Sequence, residues 1–232
     1  MKNTLCVPDL HAPFQHIDAL AFLCAVRDKY KTQAAVCVGD EVDYHALSYH
    51  ESNPNLPSAG DELEEAAKVM RAIHKEFPVM RICESNHGSM VYRKAITHGL
   101  PKQALKTYEE IYQVKGWSWH EEVMDEIKGG LMVCFRHSFG QAIHTALPRQ
   151  GGVCCIQGHH HAKSNIEYLR TPTRLLFGMS TGWLGDDEAL AFRYNRVSLA
   201  RPILSCGVII NGQPIIVPMW TDAKRRWTGK LS

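Results

Sequence analysis

The sequence predicts a mixed α/β fold, wound as strand, helix, strand in its first half and turning to antiparallel hairpins in its second. Three observations carry this expectation. Short apolar runs end at polar residues, an amphipathic segment separates the first two runs, and two tight-turn dipeptides sit between β-rich stretches.

Residues 4–8 and 34–38 are apolar and lead into Asp9 and into Gly39-Asp40, so each reads as a buried strand. Between them, residues 17–30 place Ile17, Leu20, Ala21, Leu23, Cys24 and Val26 at helical spacing, as in a parallel crossover. The turn-rich ESNPNLPSAGDE precedes a second helical pattern over about 62–77, with Leu63, Ala66, Ala67, Met70 and Ile73 on one face and Pro78 as its stop. Residues 79–83 form a third strand leading into Glu84-Ser85-Asn86-His87, and about 90–114 read as largely helical with a break at Gly99-Leu100-Pro101. Residues 123–128 and 131–136 flank Gly129-Gly130, and 206–210 and 213–219 flank Asn211-Gly212, both hairpin signatures; Pro214 and Pro218 put the last strand at an edge. Trp117 and Trp119 alternate as strand residues do, and these two, Trp183 and Trp220 are assigned to the core.

A length of 232 residues fits one domain over 1–232, with the polar, basic stretch 220–232 as a surface tail. Hydrophobic residues at 45% and charged residues at 22% exclude a disordered or fibrous chain. A formal charge of +2 does not establish general polyanion binding, so any affinity for nucleic acid must be local. No stretch has the length of a secretory core or a membrane span, and a cytoplasmic protein with no membrane partner is expected. The eight cysteines lie mostly in apolar runs and include no Cys-x-x-Cys pair, which points to reduced, buried thiols rather than disulfides or a thiolate zinc site.

The good metal ligands fall in five short segments, PDLHAP, VGDEVDY, ESNHGS, FRHSFG and QGHHHAK, each after an apolar run or beside a glycine. Carboxylate oxygen, amide oxygen and imidazole nitrogen together suit manganese, iron, zinc or nickel, whereas magnesium and calcium prefer oxygen alone. In Asp9-x-His11, strand alternation would return both side chains to one side and let them share an ion.

In this order, the segments resemble the calcineurin-like metallophosphoesterase superfamily. The matching residues are Asp9 and His11; Gly39, Asp40 and Asp43; Asn86 and His87; His137; and Gly158, His159 and His161, over roughly residues 5 to 165. The resemblance implies a four-layer sandwich of two mixed sheets packed face to face and flanked by helices. It also implies two divalent ions, Mn2+ favoured with Fe, Zn2+ or Ni2+ as alternatives. Asp9, His11 and His161 would hold the first ion, Asn86, His137 and His159 the second, and Asp40 would bridge them, with His160 left as the intervening residue. Two such ions about 3.5 to 4 Å apart clamp a phosphate and supply a bridging hydroxide that attacks phosphorus in line. His87 then resembles the catalytic histidine that protonates the leaving oxygen. Asp43 would accept a hydrogen bond from His87 and orient it; the competing reading makes Asp43 the cap of a helix starting near Val42.

The pattern departs from the family's protein phosphatases where Tyr44 replaces the phosphate-binding arginine, and Ser85 and Gly88 replace a glycine and a glutamate. The loss of the arginine moves the expected substrate from a phosphomonoester to a phosphodiester. Arg93, Lys94, Lys102 and Lys106 follow the catalytic block and would line one edge of the cleft, with Tyr92 stacking on a base. His45 and His50 are further candidates for the rim, whereas the remaining histidines are assigned to surface or core. A nuclease or nucleic-acid-processing phosphodiesterase acting on DNA or RNA is the first expectation. A small nucleotide or cyclic-nucleotide diesterase is second, a phosphomonoesterase third, and a metal-binding scaffold is the non-enzymatic alternative.

Overall fold

The computed structural model describes residues 2–48, 54–127, 129–192 and 199–231. Strands β1 (Thr4–Val7), β2 (Ala34–Cys37) and β3 (Met80–Cys83) alternate with helices α1 (Ala19–Tyr30) and α2 (Ala59–Glu76). Helices α3 (Met90–Thr97) and α4 (Tyr108–Tyr112) lead to β4 (Trp117–His120), followed by β5 (Val123–Ile127), β6 (Leu131–Arg136), α5 (Ile143–Ala146) and β7 (Cys154–Gln157). The chain then forms β8 (Ser164–Arg170), β9 (Leu175–Thr181), β10 (Ser205–Ile210) and β11 (Gln213–Pro218). One sheet has the order β11-β10-β1-β2-β3-β4 and the other β5-β6-β7-β9-β8. The run β1 to β4 is parallel, as are β6, β7 and β9, whereas β10, β11, β5 and β8 pair antiparallel.

Side-chain alternation divides the first sheet between two cores. Leu5, Val7, Cys37, Ile82 and Val208 pack under α1 and α2 with Phe22, Leu23 and Met70. Their neighbours Cys6, Val36, Cys83 and Ile209 face the second sheet, meeting Phe135, Ile156 and Met179. On the outer side of that sheet, α5 lies against Gly178 so closely that a Cβ there would meet Ile143 at 2.6 Å. The result is the expected two-sheet sandwich flanked by helices, with a thin outer layer over the second sheet.

Several boundaries differ from the sequence reading. Helix α1 starts at Ala19 and leaves Ile17 75% exposed, because the preceding Asp18 carboxylate is taken up by Arg226 and the Trp227 N–H rather than by a longer helix. Ser58 accepts from the Asp61 N–H, so α2 begins at Ala59, ahead of its apolar pattern. The stretch expected as largely helical contains α3, a 3-10 turn at Lys102–Ala104 and the short α4, restarted by the capping box of Thr107 and Glu110. Asn211 and Gly212 have φ of 50° and 84° at the β10–β11 turn, and β11 is an edge strand. Trp220 is 58% exposed instead of lying in the core. The C-terminal stretch is on the surface but fastened: Arg226 makes two hydrogen bonds to Asp18, Arg225 O meets His16 Nε2 at 2.8 Å, and Trp227 packs edge-on to Phe22. Cys24 is half-buried and the other seven cysteines are buried and free. Among the described residues, no helix is long and apolar enough to cross a membrane.

Candidate metal centre

All five ligand-bearing segments follow the C-terminal ends of parallel strands: β1, β2 and β3 in one sheet, β6 and β7 in the other. Parallel strands present those ends on the same edge of their sheet, where the facing sheets bring the segments together. The convergence of Asp9 and His11 comes from a turn rather than from strand alternation. His11 has φ 52°, and the N–H groups of Leu10 and His11 both donate to Asp40 O. Asp40 and His159 are left-handed as well, with φ of 45° and 64°. Left-handed backbone at three non-glycine residues costs roughly 1–2 kcal/mol each and concentrates at functional sites.

Asp9, His11, Asp40 and His161 form one group of converging donor atoms; Asp40, His137 and His159 form a second. Asp40 belongs to both. Its Oδ2 is 3.2 Å from His137 Nε2 and 3.7 Å from His11 Nε2, while its Oδ1 accepts the His87 N–H. Asn86 joins the second group, with Oδ1 2.7 Å from His137 Nε2. In the first group, His161 Nε2 stands 3.1 Å from Asp9 Oδ2.

The ring contacts identify the atoms turned toward the centre. His11 Nδ1 is 2.6 Å from the Asp43 carboxylate and His137 Nδ1 is 3.1 Å from the Val38 carbonyl, so each Nδ1 donates outward and each Nε2 is the ring atom turned toward the centre. His11 Nε2 then faces His161 Nε2 at 3.1 Å, and His137 Nε2 faces His159 Nδ1 at 3.2 Å. Buried Asp9 Oδ1 has no hydrogen-bond partner among the described residues. Ring nitrogens turned toward one another, with an orphaned carboxylate oxygen beside them, are the donor set that divalent cations satisfy; the residues present fit two such ions.

Electrostatics follow from this crowding. Burial alone would raise the Asp40 carboxyl, yet the imidazoles of His137, His87 and His11 hold it well below the usual carboxylate range. Burial depresses His137, but Asp40 and Asp9 outweigh it and bring the imidazole up to about 9. A proton on His137 and a cation in the centre are alternative ways to neutralise the same carboxylates. Burial and its neighbour His137 lower His159. Burial also opposes the charge on His87, but Asp40 and Asp43 raise its pKa overall.

Asp43 acts differently from the sequence reading. Its carboxylate orients His11, whereas His87 is held through the Asp43 main-chain carbonyl, 2.5 Å from His87 Nδ1, with the carboxylate 3.4 Å away. It caps no helix at Val42, since the next element is a 3-10 turn at His45–Leu47 with no side-chain cap. His45 Nδ1 lies 3.8 Å from Asp43 Oδ2, and His50 falls outside the described residues. Tyr92 is buried, packed on Tyr108 with its hydroxyl donating to Lys106 O, and is not placed to stack on a base. Arg93 donates to the Asn86 carbonyl and lines a cleft of about 520 Å³ beside Asn86 and His137. Lys94 is half-buried on α3 and is not among the residues lining that cleft; Lys102 is turned to Glu84 at 3.6 Å.

Four contributors escaped the sequence reading. Trp183 stacks on His161 at 4.9 Å and Phe192 packs edge-on to His11 at 5.4 Å, walling the first group. The signal available for Trp183 was that it too follows a parallel strand, β9. Buried Glu41, pushed by burial up to about 7, accepts from Trp119 Nε1 and occupies the space that a side chain at Gly88 would need. Arg136 lines the cleft one residue before His137.

No family model matches the chain, and no curated protein matches it by sequence. Among solved structures the chain is similar to Vps29 of Chaetomium thermophilum, with 11% identity and a TM-score of 0.47 over 100% of this chain and 95% of that one. It is also similar to YfcE, described as a phosphoesterase from E. coli, with 10% identity and a TM-score of 0.46 over 97% of this chain and 96% of that one.

Proposed function

We propose that the protein is a metal-dependent hydrolase of phosphodiesters, and within that class a nuclease or nucleic-acid-processing enzyme. The observation that carries this reading is the pair of donor groups sharing Asp40, with the Nε2 atoms of His11 and His137 turned inward. Asp9, His11 and His161 would hold one divalent ion and Asn86, His137 and His159 the other, with Asp40 between them; Mn2+ suits the mixed oxygen and nitrogen set. When bound, such ions draw charge from phosphate oxygens and make a water acidic enough to attack phosphorus at neutral pH.

The chain's own residues supply orientation and the leaving-group proton. Asp43 fixes the His11 ring through Nδ1. The Asp43 carbonyl fixes His87 through its Nδ1, which leaves Nε2 as the atom that gives or receives a proton. Tyr44, in place of the phosphatase arginine, is buried with its hydroxyl 2.6 Å from that of Tyr112 and offers no cation to a terminal phosphate. That supports a diester over a monoester.

The manganese-loaded protein is expected to hydrolyse bis-p-nitrophenyl phosphate, with turnover lowered by about 100-fold or more in His87→Ala. Single- and double-stranded DNA, RNA and cyclic nucleotides, compared under one metal condition, separate the substrate classes. Cleavage of cyclic nucleotides and of no polymer would sink the nuclease reading, and an inert wild type with its metals bound would leave a metal-binding scaffold.

A further inference from the structure

We propose that Arg93 and Arg136 form a second anion subsite on the Asn86 and His137 side of the centre, which takes the phosphate next to the scissile one and so selects a nucleotide chain over an isolated diester. The inference rests on the phosphodiesterase reading above for the identity of its neighbour, and on the cleft for its own location.

The two arginines come from different elements, Arg93 from α3 and Arg136 from the end of β6, yet both line the cleft that contains Asn86 and His137. Each is anchored in a way that uses only part of its guanidinium. Arg93 Nη2 donates to the Asn86 carbonyl, and Arg136 Nε meets Glu122 at 3.1 Å. A guanidinium has five N–H donors in a planar fork that matches phosphate oxygens, so one anchored edge positions the fork for an anion. Position 44 cannot perform this task, because Tyr44 is buried against Tyr112. Of the acidic residues lining the cleft, Glu84 is faced by Lys102 at 3.6 Å, while exposed Glu121 opposes an incoming anion. An isolated diester fills only the centre between the metal ligands. A nucleotide chain would place its adjacent phosphate in the cleft that the arginines share with Asn86 and His137, which makes flanking phosphate the distinguishing feature of the substrate.

The test compares the dinucleotide TpT with pTpT and TpTp on the manganese-loaded protein, reading kcat/KM where there is turnover and Kd where there is none. Wild type is expected to favour one of the two phosphorylated forms over TpT by about tenfold. Arg93→Gln and Arg136→Gln each reduce that preference severalfold, Arg136→Lys restores part of it, and Glu121→Gln increases it. Absence of the preference in wild type, or its persistence unchanged in both glutamine variants, overturns the subsite. Turnover of all three compounds without preference overturns the subsite and leaves the phosphodiesterase reading standing. Arginine-dependent preference in binding with no turnover does the reverse.

Discussion

The Asp43 carboxylate shows how single residues divide the work at the centre. It grips His11 Nδ1 at 2.6 Å, while His87 depends on the carbonyl of the same residue. Asp43→Asn should therefore weaken metal binding at the Asp9, His11 and His161 group by about 10- to 100-fold, the usual effect of removing a partner that orients a ligand. Calorimetric titration of Mn2+ into metal-free protein checks this, and unchanged affinity at both positions would contradict it. Among three consecutive histidines, His159 and His161 reach the two donor groups, whereas buried His160 Nε2 has no hydrogen-bond partner among the described residues. His160→Ala should leave two ions bound in the same titration, while His159→Ala and His161→Ala should each lose one. The identities of the converging residues were legible because ligand types recur at the ends of apolar runs. Tyr92 was misplaced for a physical reason: an aromatic on a short helix has the same sequence signature whether it faces a cleft or, as here, Tyr108 and the core.

Elements put these residues in reach through close backbone approaches that a linear pattern does not reveal. Gly39 has φ 107°, and a Cβ there would stand 2.7 Å from Ser85 Cβ and 2.8 Å from His137 Nδ1. Gly39→Ala should destabilise the fold by about 1–3 kcal/mol, from left-handed strain and overpacking together. Gly60, in the first turn of α2, is the internal control, since a Cβ there would meet Ser58 Oγ no closer than 3.9 Å. Gly60→Ala should instead stabilise by about 0.4–1 kcal/mol, because it restricts the unfolded chain without a clash. Denaturant midpoints measure both, and equal shifts would contradict the packing argument. Strands β1 to β3 and both hairpins are legible because apolar runs ending at polar residues and the Gly-Gly and Asn-Gly turns are local signals, whereas β8 and β9 carry no such signal in the sequence reading. The helix starts are not legible, since Ser58 and the Asp18 clamp set them through specific hydrogen bonds.

Across the whole molecule, two cores lie on opposite faces of one sheet, and the cluster able to hold metal ions sits at the strand ends. The C-terminal stretch closes this arrangement over α1. Arg226 holds the Asp18 carboxyl down to about 2, its hydrogen bond outweighing burial and being aided by the Trp227 N–H. A carboxyl lowered on folding stabilises the native state above its unfolded pKa, near 3.8, and loses that contribution as pH falls toward about 2. Asp18→Asn should therefore lower Tm by a few degrees at neutral pH, with the gap to wild type closing as the pH drops below about 4. A gap that widened in acid would contradict the clamp. The polar composition of the tail marks it as surface, and its fastening is hidden in the sequence because the partners of the clamp are more than 200 residues apart.

The central claim, that two ions shared through Asp40 make this chain a phosphodiesterase, is tested most directly by titrating Mn2+ into metal-free protein while following hydrolysis of bis-p-nitrophenyl phosphate. The expected result is a rate that saturates near two ions per chain, with Asp40→Asn binding less metal and showing no turnover. Two ions bound with no hydrolysis, or hydrolysis that proceeds unchanged in Asp40→Asn, would contradict it.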